Sequence, residues 1–184
     1  MRRSRLTVIL VFAALVAGGA LLAARGDQAA APTTLVLDTE KGVIEIELFP
    51  DDAPKSVEYI LNHVRRNCYR GQRFHWVQDG VVQFGDPQTR DFTKKDAWGR
   101  GGCGRAGESV GVAETSNRAF ARGLVGLAYR TSQKPEAADS QLFILRIANP
   151  ALNGKYAVIG RVSKGLDVLD KIEADDRIKN VTVR

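Results

Sequence analysis

Phe74-His75-Trp76-Val77-Gln78-Asp79-Gly80-Val81-Val82-Gln83-Phe84-Gly85-Asp86 is the stretch that decides the fold. Two short segments rich in β-branched and aromatic residues flank Asp79-Gly80, a pair that favours the positive backbone angles of a two-residue hairpin loop. The stretch therefore reads as an antiparallel hairpin. Phe74, Val82 and Gln83, beside the indole of Trp76, are expected to give one sheet face an apolar floor with a single amide. Such a floor suits a peptide better than a metal or a phosphate.

Working outward, Leu35-Val36-Leu37 and Val43 to Leu48 bracket Glu40-Lys41-Gly42 as a second hairpin. Ile44, Ile46 and Leu48 alternate with Glu45 and Glu47, so one face meets a core and the other meets water. Asp51-Asp52-Ala53-Pro54 supplies a cap and a first-turn proline, and Val57, Ile60, Leu61 and Val64 then recur at helical spacing. The His63 of that helix reads as a surface or cap residue. Strands resume at Leu124 to Ala128, Gln141 to Leu145 and Ala157 to Val162. Val168, Leu169 and Ile172 mark a short second helix, and Asn180 to Val183 a closing strand. Many short strands with few helices indicate an all-β domain. There is no internal repeat.

Phe-His-x-Val, a turn, an apolar pair, Gln and then x-Gly-Asp-Pro resembles the signature hairpin of the cyclophilin-type peptidyl-prolyl cis-trans isomerases. Arg122-Gly123-Leu124-Val125-Gly126-Leu127-Ala128, Ser140-Gln141-Leu142-Phe143-Ile144 and Leu152-Asn153-Gly154-Lys155-Tyr156 are similar to the family's later blocks, in the same order. Gly160-Arg161-Val162 through Leu169-Asp170-Lys171-Ile172 is similar to its closing strand and helix. The resemblance spans roughly residues 34 to 173 and implies a closed eight-stranded antiparallel β-barrel with a helix over each end. It also implies isomerisation of Xaa-Pro bonds in unfolded or proline-containing polypeptides, without a cofactor or a metal, by a monomer.

An Xaa-Pro bond resists rotation with a barrier of ~18–20 kcal/mol, because the amide nitrogen shares its lone pair with the carbonyl. Catalysis must favour the twisted amide, which needs no nucleophile: an apolar pocket for the ring and fixed partners for the substrate backbone are enough. By the resemblance, Val82, Phe143, Leu152 and Tyr156 form the pocket wall. Gln83 and Gln141 stand beside it, Phe74 joins the floor and the Ala128 backbone pairs with the peptide. Read from the residues alone, Val82, Phe143 and Leu152 are equally compatible with core positions.

One departure bears on catalysis. The family's catalytic arginine follows Phe-His in the hairpin, and Trp76 stands there in this chain. An indole has one donor and no charge, so it cannot act as a guanidinium fork, and losing one well-placed donor typically costs on the order of 10²–10³ in rate. Weakened catalysis is the expectation, with a catalytically silent proline-peptide-binding module or chaperone as the alternative. Arg73 lies three residues before Trp76 and is expected on the opposite face; Arg130, after Ala128, is the candidate to reach in. The hairpin is also one residue shorter than the usual pattern, so either Val81 or Val82 stands for its apolar pair.

The first 32 of the 184 residues read as a leader. Arg2, Arg3 and Arg5 precede an uncharged apolar run from Leu6 to Ala24, close to the ~20 residues that span a bilayer, and hold that end in the cytoplasm. The domain of residues 33–184 is therefore expected outside the cytoplasm, in the periplasm or secreted, either tethered to the membrane or cut free near Ala29-Ala30-Ala31. The formal net charge is +6, of which the leader's four arginines against Asp27 account for +3. The remaining basic residues are scattered, which argues against a nucleic-acid surface.

Two motif matches are set aside. Gly99-Arg100-Gly101-Gly102-Cys103-Gly104 fits a dinucleotide fingerprint but lacks the strand before it and the helix after it. Gly107-Glu108-Ser109-Val110-Gly111 fits a nucleophile elbow, but both histidines precede Ser109, against the chain order of that triad. By the resemblance, Gly101-Gly102 belongs to a loop beside the substrate groove. Cys68 and Cys103 match no zinc spacing; whether they approach one another is open at this level.

Overall fold

The computed structural model describes residues 32–106 and 108–184. The expected leader, with its apolar run and small-residue cleavage site, lies outside the described residues except for Pro32. Among the described residues eight strands form, β1 (Thr34–Thr39), β2 (Gly42–Leu48), β3 (Trp76–Gln78), β4 (Val81–Phe84), β5 (Leu124–Leu127), β6 (Leu142–Leu145), β7 (Val158–Lys164) and β8 (Ile178–Val183), with helices α1 (Pro54–Arg65) and α2 (Leu166–Lys171). The strand order is β3-β4-β6-β5-β7-β2-β1-β8, and every pairing is antiparallel.

The sheet curls until the segment preceding β3 meets the start of β8. Gly71 N–H donates to the Ile178 carbonyl (2.8 Å), Phe74 N–H to Asp176 (3.0 Å), and Arg73 faces Arg177 in an antiparallel bridge. These bonds join what would otherwise be two free edges, which removes a template for unwanted pairing.

Alternation fills the interior. Leu35, Leu37, Ile44, Ile46, Phe74, Val82, Phe84, Val125 and Ile144 belong to the main core, closed by Val57, Ile60 and Val64 of α1 and by Leu169 next to β2. Glu45 and Glu47 point outward and pair with Lys164, Arg184 and Arg161. Phe120, Phe143, Leu145, Val158 and Ala128 form a second apolar cluster, and this one lies beneath the groove described below.

Helix α1 begins differently from expectation. Pro54 starts α1, but the residue at the cap is Ala53; Asp52 pairs with Arg118 instead. The capping acceptor comes from a distant loop, where the Glu114 carboxylate receives the N–H groups of Lys55 (3.1 Å) and Ser56 (2.8 Å). That placement satisfies two orphan donors and sets a negative charge at the positive end of the helix. Arg146, next after β6, donates to the carbonyls of Leu169 and Ile172 at the end of α2. His63 is not on the surface: it is 2% exposed, with Nε2 3.5 Å from Asp139 Oδ1.

Candidate active site

The expected hairpin forms with the expected turn, and its register decides which side chains reach the site. A two-residue Asp79-Gly80 loop pairs Gln78 with Val81, Val77 with Val82 and Trp76 with Gln83. The last pair continues across the sheet, from Gln83 to Phe143 on β6 and from Phe143 to Gly126 on β5. Paired residues share a face, so Trp76, Gln83 and Phe143 stand in one row over the outer surface of the curl. Gly126 ends the row because the Phe143 ring lies over it, where a Cβ would come within 3.0 Å of three ring carbons.

A groove of about 1100 Å³ runs along this row. Trp76, Gln83, Phe143, Tyr156, Ala128, Gln141 and Leu152 line it, as expected. Phe143 stacks on Phe120 with centroids 5.9 Å apart and meets Tyr156 nearly edge-on at 5.2 Å, giving an aromatic corner suited to a flat apolar ring. Burial, then the neighbouring Tyr129, raises the Tyr156 pKa, so its hydroxyl keeps its proton.

Two of the expected site residues are elsewhere. Val82 faces the opposite side from Gln83 and is fully buried in the main core. The alternation of side chains along β4 requires this once Gln83 faces the groove, and Val81 takes the pocket-wall position. Phe74 also lies in the core, 5.4 Å from the Phe84 ring. It precedes β3, where the chain bends to bond Asp176, so the strand alternation that would have put it beside Trp76 does not extend to it.

A glutamine relay fixes the polar side of the groove. Gln141 Nε2 donates to the carbonyls of Gly99 (2.9 Å) and Gly101 (2.7 Å), so its oxygen must accept, and Gln83 Nε2 donates to it at 2.7 Å. The Gln83 oxygen is thereby left to face the groove as an acceptor. The glycine-rich loop that receives this relay is pinned throughout. Asp86, at the end of the hairpin, accepts from Gly101 N–H (3.0 Å); Ser140 Oγ accepts from Cys103 N–H (2.8 Å); Asp139 accepts from Gly104 N–H and from the Tyr59 hydroxyl (both 3.1 Å). Cys68 and Cys103 are joined in a disulfide, Cα to Cα 6.1 Å, tying the loop to the segment after α1.

Several groove residues carry no signal in the sequence pattern. Trp98, Arg100 and Asp139 come from segments without periodicity, and His75 sits behind the hairpin row. Burial lowers the His75 pKa and outweighs the Asp86 carboxylate nearby, and neither ring nitrogen has a well-formed hydrogen bond. Arg73 is turned away from the groove, although the alternation along β3 ends before it: it donates to the Asp175 carbonyl and covers the Phe92 ring. Arg130 reaches the groove rim and donates to the Arg100 carbonyl. Trp76 itself is 48% exposed at the opposite margin of the row.

Comparison with known proteins gives the family and the fold. Residues 34–184 match the family model described as cyclophilin type peptidyl-prolyl cis-trans isomerase/CLD. A Brucella suis protein named "Probable peptidyl-prolyl cis-trans isomerase" is 37% identical over 174 residues, covering 94% of this chain and 86% of that one. A peptidyl-prolyl cis-trans isomerase of Acinetobacter baylyi is 38% identical over 165 residues, covering 86% and 80%. Among solved structures, a Cryptosporidium parvum cyclophilin-type peptidyl-prolyl cis-trans isomerase crystallised in the presence of the dipeptide Ala-Pro superposes with a TM-score of 0.70 at 24% identity, covering 82% of this chain and 98% of that one. This likeness supports the fold. The chain belongs to the cyclophilin-type peptidyl-prolyl cis-trans isomerase family.

Proposed function

We propose that the groove holds an Xaa-Pro segment with the proline ring against Phe143, Leu152 and Tyr156, and that it favours the twisted amide with less electrostatic help than an arginine would give. The observation that carries this reading is the row Trp76–Gln83–Phe143, set by strand register; by the family resemblance an arginine would stand at the position of Trp76 and face the amide. Gln83 offers an acceptor to a peptide N–H, and the Trp76 N–H and Tyr156 hydroxyl make no hydrogen bond among the described residues, so each is available to a substrate carbonyl. Nothing in this scheme needs a proton transfer or a covalent intermediate. Acceleration comes from the difference in binding between twisted and planar amide.

The exposed indole also favours a second reading, a binding module that stacks proline segments without isomerising them. The site of action is proposed to be outside the cytoplasm, as the leader implies. The Cys68–Cys103 bridge supports this, since such bonds persist in oxidising compartments.

Binding is tested with the Trp98→Phe variant, which leaves Trp76 as the groove's indole. Titration with an Ala-Pro-containing peptide is expected to shift Trp76 fluorescence to saturation. An unchanged spectrum, together with unchanged amide resonances of Gln83 and Phe143, refutes the assignment of the groove. Fractionation of cells producing the full chain tests location: recovery in the cytoplasmic fraction contradicts the export reading.

A further inference from the structure

The two ends of the groove differ in chemistry. β5 and β6 run antiparallel, so the chain beyond β5 and the chain beyond β6 leave at opposite ends. Beyond β6 lies Ile147, 59% exposed and packed on the Gly80 turn beside Val81. Beyond β5 lies Arg130, whose guanidinium donates to the Arg100 carbonyl, bringing two exposed arginines onto one stretch of rim. Among the described residues, neither arginine forms an ion pair. Among the described residues the one carboxylate lining the groove, Asp139, is held by Tyr59 and Gly104 and lies 3.5 Å from His63 Nε2. The β5 end thus presents uncompensated positive charge, and the β6 end presents apolar surface.

We propose that the groove selects Xaa-Pro segments carrying an acidic side chain on one side of the proline, the side that lies at the Arg100–Arg130 end. This rests on the peptide-binding reading above and names its substrate class. A guanidinium offers a planar fork that matches a carboxylate. Arg130 spends one donor on the Arg100 carbonyl, which orients it while leaving the others free. On the other side of the proline a charged residue meets Ile147 and Val81 and gains nothing, so the preference is directional.

The test measures catalysed cis-trans exchange by NMR for peptides sharing one Xaa-Pro core, with Glu or Lys placed either before or after it, at low ionic strength. For an exposed pair the expected advantage of Glu over Lys is about fivefold in kcat/KM, on one side only. It should collapse in about 0.5 M salt, where screening shortens to a few ångströms. In Arg100→Glu/Arg130→Glu the ranking should invert in favour of Lys. The readout is a ratio, so a general loss of activity does not mimic the effect, and far-ultraviolet circular dichroism confirms that the variant is folded. Equal acceleration of Glu and Lys peptides on both sides, or a preference unchanged by charge reversal, overturns the inference and leaves the isomerase reading intact. Absence of acceleration and of resonance shifts with every peptide overturns both.

Discussion

Replacing Gly126 by Ala tests the packing that shapes the groove floor. Gly126 lies between β6 and β7, paired with Phe143 and Val158, so its backbone has little room to retreat. The new Cβ would sit within 3.0 Å of three Phe143 ring carbons, closer than carbon atoms pack. The ring cannot slide freely, because Phe120 stacks on it and Tyr156 abuts it. Overpacking of this kind costs about 1–3 kcal/mol, which in a domain of this size lowers Tm by about 3–10 °C. The same displacement moves the pocket wall, and a misplacement of about 1 Å at a reacting centre costs up to about a hundredfold in rate. Thermal unfolding and peptide exchange NMR read the two effects separately. Gly126→Ala/Phe143→Leu should regain stability without regaining activity, since the clash is gone and so is the aromatic wall. A Gly126→Ala protein with native Tm and native exchange rate would refute the packing argument.

Further outcomes follow from the bridge and from the buried histidine. Cys68 and Cys103 are separated by 35 positions, so chain entropy assigns the bridge about 3–4 kcal/mol. Cys68→Ser/Cys103→Ser, and the native protein treated with a dithiol, should show the same loss in denaturant unfolding, whereas no loss in either would show that the bridge adds nothing to stability. Because burial lowers the folded-state pKa of His75 below its ordinary 6.5, the unfolded chain takes up this proton first as pH falls. Its neutral form is therefore without penalty above about pH 6.5, and stability drains away below it. A melting series between about pH 7 and pH 5 should flatten in His75→Phe relative to native protein; an identical slope excludes His75 as a source of the pH dependence.

Much of this arrangement is legible in the residues, and the rest is hidden for identifiable reasons. Asp79-Gly80 specifies its own turn, and the alternation in Val43 to Leu48 specifies a half-buried strand, because both signals are local. The phase of the hairpin was available too: a two-residue loop pairs Gln78 with Val81, and counting back pairs Trp76 with Gln83. That count assigns Val81 to the groove and Val82 to the core, where reading the apolar segment as a unit does not. Phe74 is a different case. Its inward turn depends on bonds to Asp176, about a hundred residues away in sequence, and no local pattern carries them. The same holds for the Glu114 cap on α1 and for the glycine-rich loop, whose position is set by Asp86, Asp139, Ser140 and Gln141 rather than by its own residues. Trp98 and Arg100 enter the groove on that loop, which is why their role emerges only in three dimensions.

The central claim is that this groove isomerises Xaa-Pro bonds with an indole where an arginine is expected. NMR exchange on a short Xaa-Pro peptide with native protein and with Trp76→Arg tests it most directly, against an uncatalysed scale of tens to hundreds of seconds. The account predicts that native protein accelerates exchange and that Trp76→Arg accelerates it further, by about tenfold or more. Acceleration by Trp76→Arg alone, with the native protein silent, would contradict the account and make the groove a binding site on an isomerase scaffold.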